Sequence, residues 1–86
     1  MDEIHQLRKK VDEVDDQILL ALCERVKACE AIGAAKKKRG LAVMDASREN
    51  EVFERIKEKS AQYQLDPVQI ERVYREIVNI CSAVQE

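Results

Sequence analysis

An 86-residue chain with 15 Lys and Arg against 17 Asp and Glu has room for one domain and a formal net charge of −2, too near neutral for a protein built mainly to coat nucleic acid or an anionic membrane. With 2 Gly and 1 Pro it lacks the turn formers of a many-stranded sandwich or barrel, and with 45% hydrophobic residues it is too apolar for a disordered tail. No apolar run approaches the ~20 residues that span a bilayer, and no charged-then-apolar leader opens the chain, so no membrane partner and a cytoplasmic location are expected.

The first element is long. Ile4, Leu7, Val11, Val14, Ile18, Ala21, Arg25, Ala28, Ile32 and Ala35 alternate in steps of three and four, the spacing of a heptad seam. Asp2 suits an N-cap, Lys36 to Arg39 suit the last turns, and Gly40 suits the stop. One helix is predicted over about residues 3–38. A short connection follows through Met44. Asp45 is expected to cap a second helix running to about Gln62, with Val52, Phe53, Ile56 and Tyr63 on its apolar side. Leu65-Asp66-Pro67-Val68-Gln69-Ile70 then combines an Asp cap, Pro at the first helical position and the spacing of a capping box and hydrophobic staple. The third helix is predicted to run to about Val84, with Ile70, Val73, Tyr74, Ile77 and Cys81 facing inward. The expected fold is therefore all-α, a single domain over residues 1–86.

Length has a consequence for assembly. A 36-residue helix is about 54 Å long, whereas a compact domain of this size has a radius of gyration near 12 Å. The two shorter helices cannot cover the whole seam. A homodimer with long helices paired about a two-fold axis covers it; a bend near Gly33 is the monomeric alternative.

Chemistry is narrowed by what is scarce. Cys23, Cys29 and Cys81 are odd in number and lack CxxC spacing, which fits reduced thiols, and His5 is the only histidine. Neither a metal centre nor a Ser-His or Cys-His nucleophile is expected, and no cofactor. Charge and hydrogen bonding are left to carry any catalysis.

Arg25 occupies a core position of the seam, and Lys36, eleven residues on, points within about 20° of it and about 16 Å further along the axis. Snorkelling to solvent is one reading of both. A guanidinium among Ile18, Leu22, Cys29 and Ile32 is costly without a partner, which favours an anion site. Asp45, Arg48, Glu49 and Val52 share a face of the second helix, and Gln85 continues the line of Tyr74, Ile77 and Cys81 on the third. The cations Arg25, Lys36 and Arg48, the acceptor Glu49 and the amide Gln85, with walls from Leu22, Ile32, Val52, Ile77 and Cys81, suit a small polyanion carrying a hydroxyl. Arg8 is about 25 Å from Arg25 along one helix, too far to share a small ligand with it; an antiparallel dimer is one way for the partner's Arg8 to close the other chain's site. The Lys36–Arg39 run has no interleaved aromatics, so no nucleic-acid partner is expected. These residues define an enclosed anion site in a helical dimer, with the chemistry open.

Over essentially its whole length the chain resembles the all-helical class of chorismate mutases. The resemblance is carried by Leu7-Arg8 through Val14-Asp15 and Ile18, Glu24-Arg25, Ile32-Gly33 through Lys36, Asp45 with Ser47-Arg48-Glu49, and Gln85. It implies a cofactor-free [3,3]-sigmatropic rearrangement of chorismate to prephenate, at two sites in a homodimer. The partner's Arg8 and this chain's Arg25 would bind the substrate carboxylates. Lys36 and Gln85 would donate to the ether oxygen. Glu49 would accept from the ring hydroxyl near Asp45, and Arg48 would support the carboxylate side and hold Glu49. Cys81 stands where the family often has Ser, which weakens a hydrogen bond to the ring carboxylate. Isochorismate-pyruvate lyases resemble the same family, and a helical dimer that only binds partners is the reading from a different class.

Overall fold

The computed structural model describes residues 2–86 and consists of three α-helices: α1 Glu3–Arg39, α2 Ala46–Gln62 and α3 Pro67–Ala83. Each start is capped by an aspartate. Asp2 accepts from the Ile4 N–H at 3.0 Å, Asp45 from Arg48 at 3.0 Å and Asp66 from Val68 at 2.9 Å, satisfying donors that the first turn of a helix leaves free. The third cap bond falls on Val68 and not on Gln69, three residues after the cap.

α1 stops at Gly40, whose φ of 67° is left-handed. Leu41 N–H then reaches back to Lys36 O at 2.9 Å and Gly40 N–H to Lys37 O at 3.3 Å, the paired bonds of a Schellman motif. α2 ends the same way without glycine. Gln64 takes a φ of 61°, and Leu65 N–H reaches Ser60 O at 2.9 Å.

α3 packs on both α2 and α1. Ile56 and Ser60 of α2, Val78 and Cys81 of α3, and Cys29 and Gly33 of α1 are buried. The α2–α3 face is fastened at its edge by Lys57 to Glu71 at 3.1 Å and by the Arg75 guanidinium over the Phe53 ring at 4.9 Å. Tyr63 departs from the predicted apolar side. It is the C-cap of α2, where the backbone leaves the helix, and the residue is 71% exposed. Val73 also departs, at 54% exposed. It lies about 60° from Ile70 and about 140° around the helix from the buried Val78.

α1 is unbroken through Gly33, so the alternative of a bend there is not realised. The described chain measures 59 × 23 × 16 Å with a radius of gyration of 16.3 Å, well above the ~12 Å of a compact domain. The excess is the first half of α1. Every residue from Asp2 to Ala21 is exposed, and Ile4, Leu7, Val11 and Ile18 each keep more than half of their surface in solvent. A run of apolar side chains this long on one helix face marks an interaction surface. Among the described residues no helix is long and apolar enough to cross a membrane.

Candidate active site

The three helices converge at one place. The C-terminal half of α1 presents Arg25, Cys29, Ile32 and Lys36 on one face, the cap and first turns of α2 present Asp45, Arg48, Glu49 and Val52, the end of α3 presents Val78, Cys81 and Ser82, and the turn that follows it presents Gln85. With Val43 from the α1–α2 connection they line a pocket of about 320 Å³, within the range that holds a small molecule.

Local structure explains how Lys36 is aimed. Its backbone carbonyl is tied by the Gly40–Leu41 turn, which curls the connection back over the end of α1. Lys36 Nζ then donates to Val43 O at 2.7 Å and to Gln85 Oε1 at 2.8 Å. Gln85 is held a second time, by Nε2 donating to Cys81 O at 3.2 Å. These two bonds decide which way the amide faces. An ammonium has three hydrogens and an amide two, so each group keeps one hydrogen for a further acceptor.

Arg25 is half-buried and donates from Nη1 to Cys81 Sγ at 2.8 Å, with Cys29 Sγ at 3.9 Å. Burial pushes the Cys29 thiol above its ordinary range, the adjoining Cys81 adds to this, and Arg25 and Lys36 pull it partway back. The sulfur therefore stays a neutral thiol at physiological pH. No carboxylate of the described residues forms an ion pair with Arg25 or Lys36. Two cations thus face a partly enclosed cavity with only neutral partners, and such a cavity favours an anion.

Seven of the eight site residues singled out from sequence line this pocket: Arg25, Lys36, Asp45, Arg48, Glu49, Cys81 and Gln85. Arg8 does not. It lies on the exposed half of α1. Arg48 reaches Glu51 at 3.3 Å across an exposed i, i+3 spacing. It does not hold Glu49, since consecutive residues on a helix do not face each other. Of the expected walls, Leu22 and Ile77 are not among the lining residues, and Cys29, Val43, Val78 and Ser82 are. Cys29 was within reach of sequence reasoning, being four residues from Arg25 and so on its face. Val43 was not, because its carbonyl is placed by the turn.

A long helix and a helical hairpin enclosing a small cationic pocket define a helical domain suited to binding a compact anion. Comparison with known proteins gives that class a family. The model for chorismate mutase type II matches residues 7–86, and the chain belongs to that family. It is 35% identical over 89 residues to a bifunctional chorismate mutase/prephenate dehydratase of Aquifex aeolicus, an alignment covering 100% of this chain and 25% of that protein. It is 27% identical over 66 residues to a chorismate mutase of Methanocaldococcus jannaschii, covering 77% of this chain and 67% of that one. A solved structure of a conserved hypothetical protein from Pyrococcus furiosus matches with a TM-score of 0.78 at 26% identity, covering 100% and 99% of the two chains. The chain thus spans about a quarter of the bifunctional relative and about two thirds of the other mutase.

Proposed function

We propose that the chain catalyses the rearrangement of chorismate to prephenate, on the route to phenylalanine and tyrosine, as a homodimer with two sites. The observation that carries this reading is the pair Arg25 and Lys36, two cations without carboxylate partners in a pocket of about 320 Å³, in a member of the chorismate mutase type II family.

The reaction breaks a carbon–oxygen bond and forms a carbon–carbon bond within one molecule. It needs no nucleophile and no proton transfer. Negative charge grows on the ether oxygen as its bond to the ring breaks. Donors fixed there in advance stabilise the transition state more than the ground state. Lys36 and Gln85 each have one uncommitted hydrogen, and their mutual bond at 2.8 Å keeps both groups at one spot. Arg25 binds one substrate carboxylate, exchanging the Cys81 sulfur for a stronger, charged acceptor. Glu49, half-buried on the pocket wall, accepts from the ring hydroxyl. Asp45, engaged as the α2 cap, stands beside it, and Arg48 lends positive charge to the carboxylate side.

The second carboxylate is left for the partner's Arg8. The uncovered apolar half of α1 supports a second copy lying along it, and an antiparallel arrangement carries Arg8 toward the other chain's pocket. With both carboxylates gripped, the enolpyruvyl arm is held over the ring in a reactive geometry that is seldom populated in water.

The test is to add chorismate to the purified chain, follow loss of its diene absorbance and identify the product, with isochorismate in parallel and pyruvate release monitored. Prephenate from chorismate, with no pyruvate from either compound, is the expected result. Pyruvate from isochorismate without prephenate would make the chain a lyase, and no turnover of either would leave a binding module.

A further inference from the structure

Gly33 lies in the interior of α1, where glycine weakens a helix relative to alanine. Its backbone gives no reason for glycine, since Gly40 is the one described glycine with a left-handed φ. The reason is proximity. Gly33 is buried, and a Cβ built on it would lie 2.7 Å from Gln85 Cα and 3.1 Å from both Gln85 Cβ and Gln85 O. All three contacts fall on one residue, and two of them are on its main chain, which cannot swing aside as a side-chain tip can. The turn that closes α3 would have to retreat by roughly 1 Å before the contact became ordinary van der Waals packing.

That residue is the one whose amide meets Lys36, and Lys36 is three positions after Gly33, on the adjacent turn of the same helix face. The close approach of the two backbones sets the depth at which Gln85 Oε1 reaches Lys36 Nζ at 2.8 Å. We infer that Gly33 is a positioning residue for the reaction: the missing side chain lets the turn after α3 seat against α1 and so holds the Gln85 amide and the Lys36 ammonium together at the oxygen that leaves. The inference rests on the reading above, in which both groups donate to the ether oxygen. Gly33 itself touches no substrate.

The test compares wild type, Gly33→Ala, Gln85→Ala and the double variant by kcat, KM for chorismate, far-UV circular dichroism and Tm. Gly33→Ala is expected to keep its helical signal, because alanine favours helix, and to keep KM within about threefold, because the carboxylates are held by arginines. Its kcat is expected to fall on the order of 10²-fold, the scale of an ångström's misplacement. In the Gln85→Ala background the same substitution should cost no more than a few-fold, because the group it displaces is already gone. A Gly33→Ala enzyme within twofold of wild type overturns the inference, as does a full multiplicative loss in the double variant. A Gly33→Ala chain that loses its helical signal also overturns it, since the residue then serves folding. Wild-type turnover is measured alongside; an inactive wild type sinks the functional reading and this inference with it, whereas an active wild type with an unaffected variant sinks the inference alone.

Discussion

Lys36→Ala is expected to slow turnover of chorismate by about 10²- to 10³-fold, the cost of a missing donor at a developing oxyanion, while the three helices stay formed. Lys36 does two things at once. In the proposed mechanism its third ammonium hydrogen donates to the ether oxygen, and its bond to Gln85 Oε1 at 2.8 Å holds the amide beside it as the second donor. Truncation removes one donor and releases the other. Folding should tolerate it. Lys36 has no carboxylate partner among the described residues to leave stranded, and Lys37, Lys38 and Arg39 still complement the end of α1. Single-turnover and steady-state rates, with far-UV circular dichroism on the same samples, check this. Turnover within a few-fold of wild type would remove Lys36 from the mechanism.

Mixing Arg8→Ala chains with Arg25→Ala chains is expected to restore activity that neither variant has alone. If each pocket takes Arg25 from one chain and Arg8 from the other, a mixed dimer has one site lacking both arginines and one site intact. Random exchange then returns about a quarter of wild-type sites. Each parent should be nearly inactive, because one substrate carboxylate enters the pocket without its cation. The exposure of Arg8 and of the apolar stripe from Ile4 to Ile18 is what calls for a second chain. Rates measured before and after subunit exchange, with exchange demonstrated by differently tagged chains, decide it. No recovery after demonstrated exchange would mean that Arg8 acts within its own chain or not at all.

Helix identity and the set of residues that meet were legible because both rest on periodicity and capping. Asp45, Arg48, Glu49 and Val52 reach the pocket from α2 because steps of three and four share a face, and Arg25 and Lys36 both face it because eleven residues are close to three turns. What escaped depends on how elements approach one another, which no local pattern encodes. The Arg25–Cys81 contact at 2.8 Å joins α1 to α3 across 56 residues. The Lys36 bond to Val43 O depends on a turn that closes only once Gly40 adopts its left-handed φ. Arg48 turned to Glu51 because two exposed side chains one turn apart meet without help from the fold. Gly33 was readable as a weak point in α1; that it packs directly against the Gln85 backbone is visible only from the distance to Gln85 Cα.

The most direct test of the account is a crystal structure of the chain with a stable dicarboxylate mimic of the rearrangement transition state. The account predicts two chains about a two-fold axis with one ligand in each pocket. Arg25 and the partner's Arg8 should lie on separate carboxylates, with Lys36 Nζ and Gln85 Nε2 both about 3 Å from the ether oxygen. A lone chain with Arg25 and Lys36 turned into bulk water, and the ligand bound elsewhere or not at all, would contradict it.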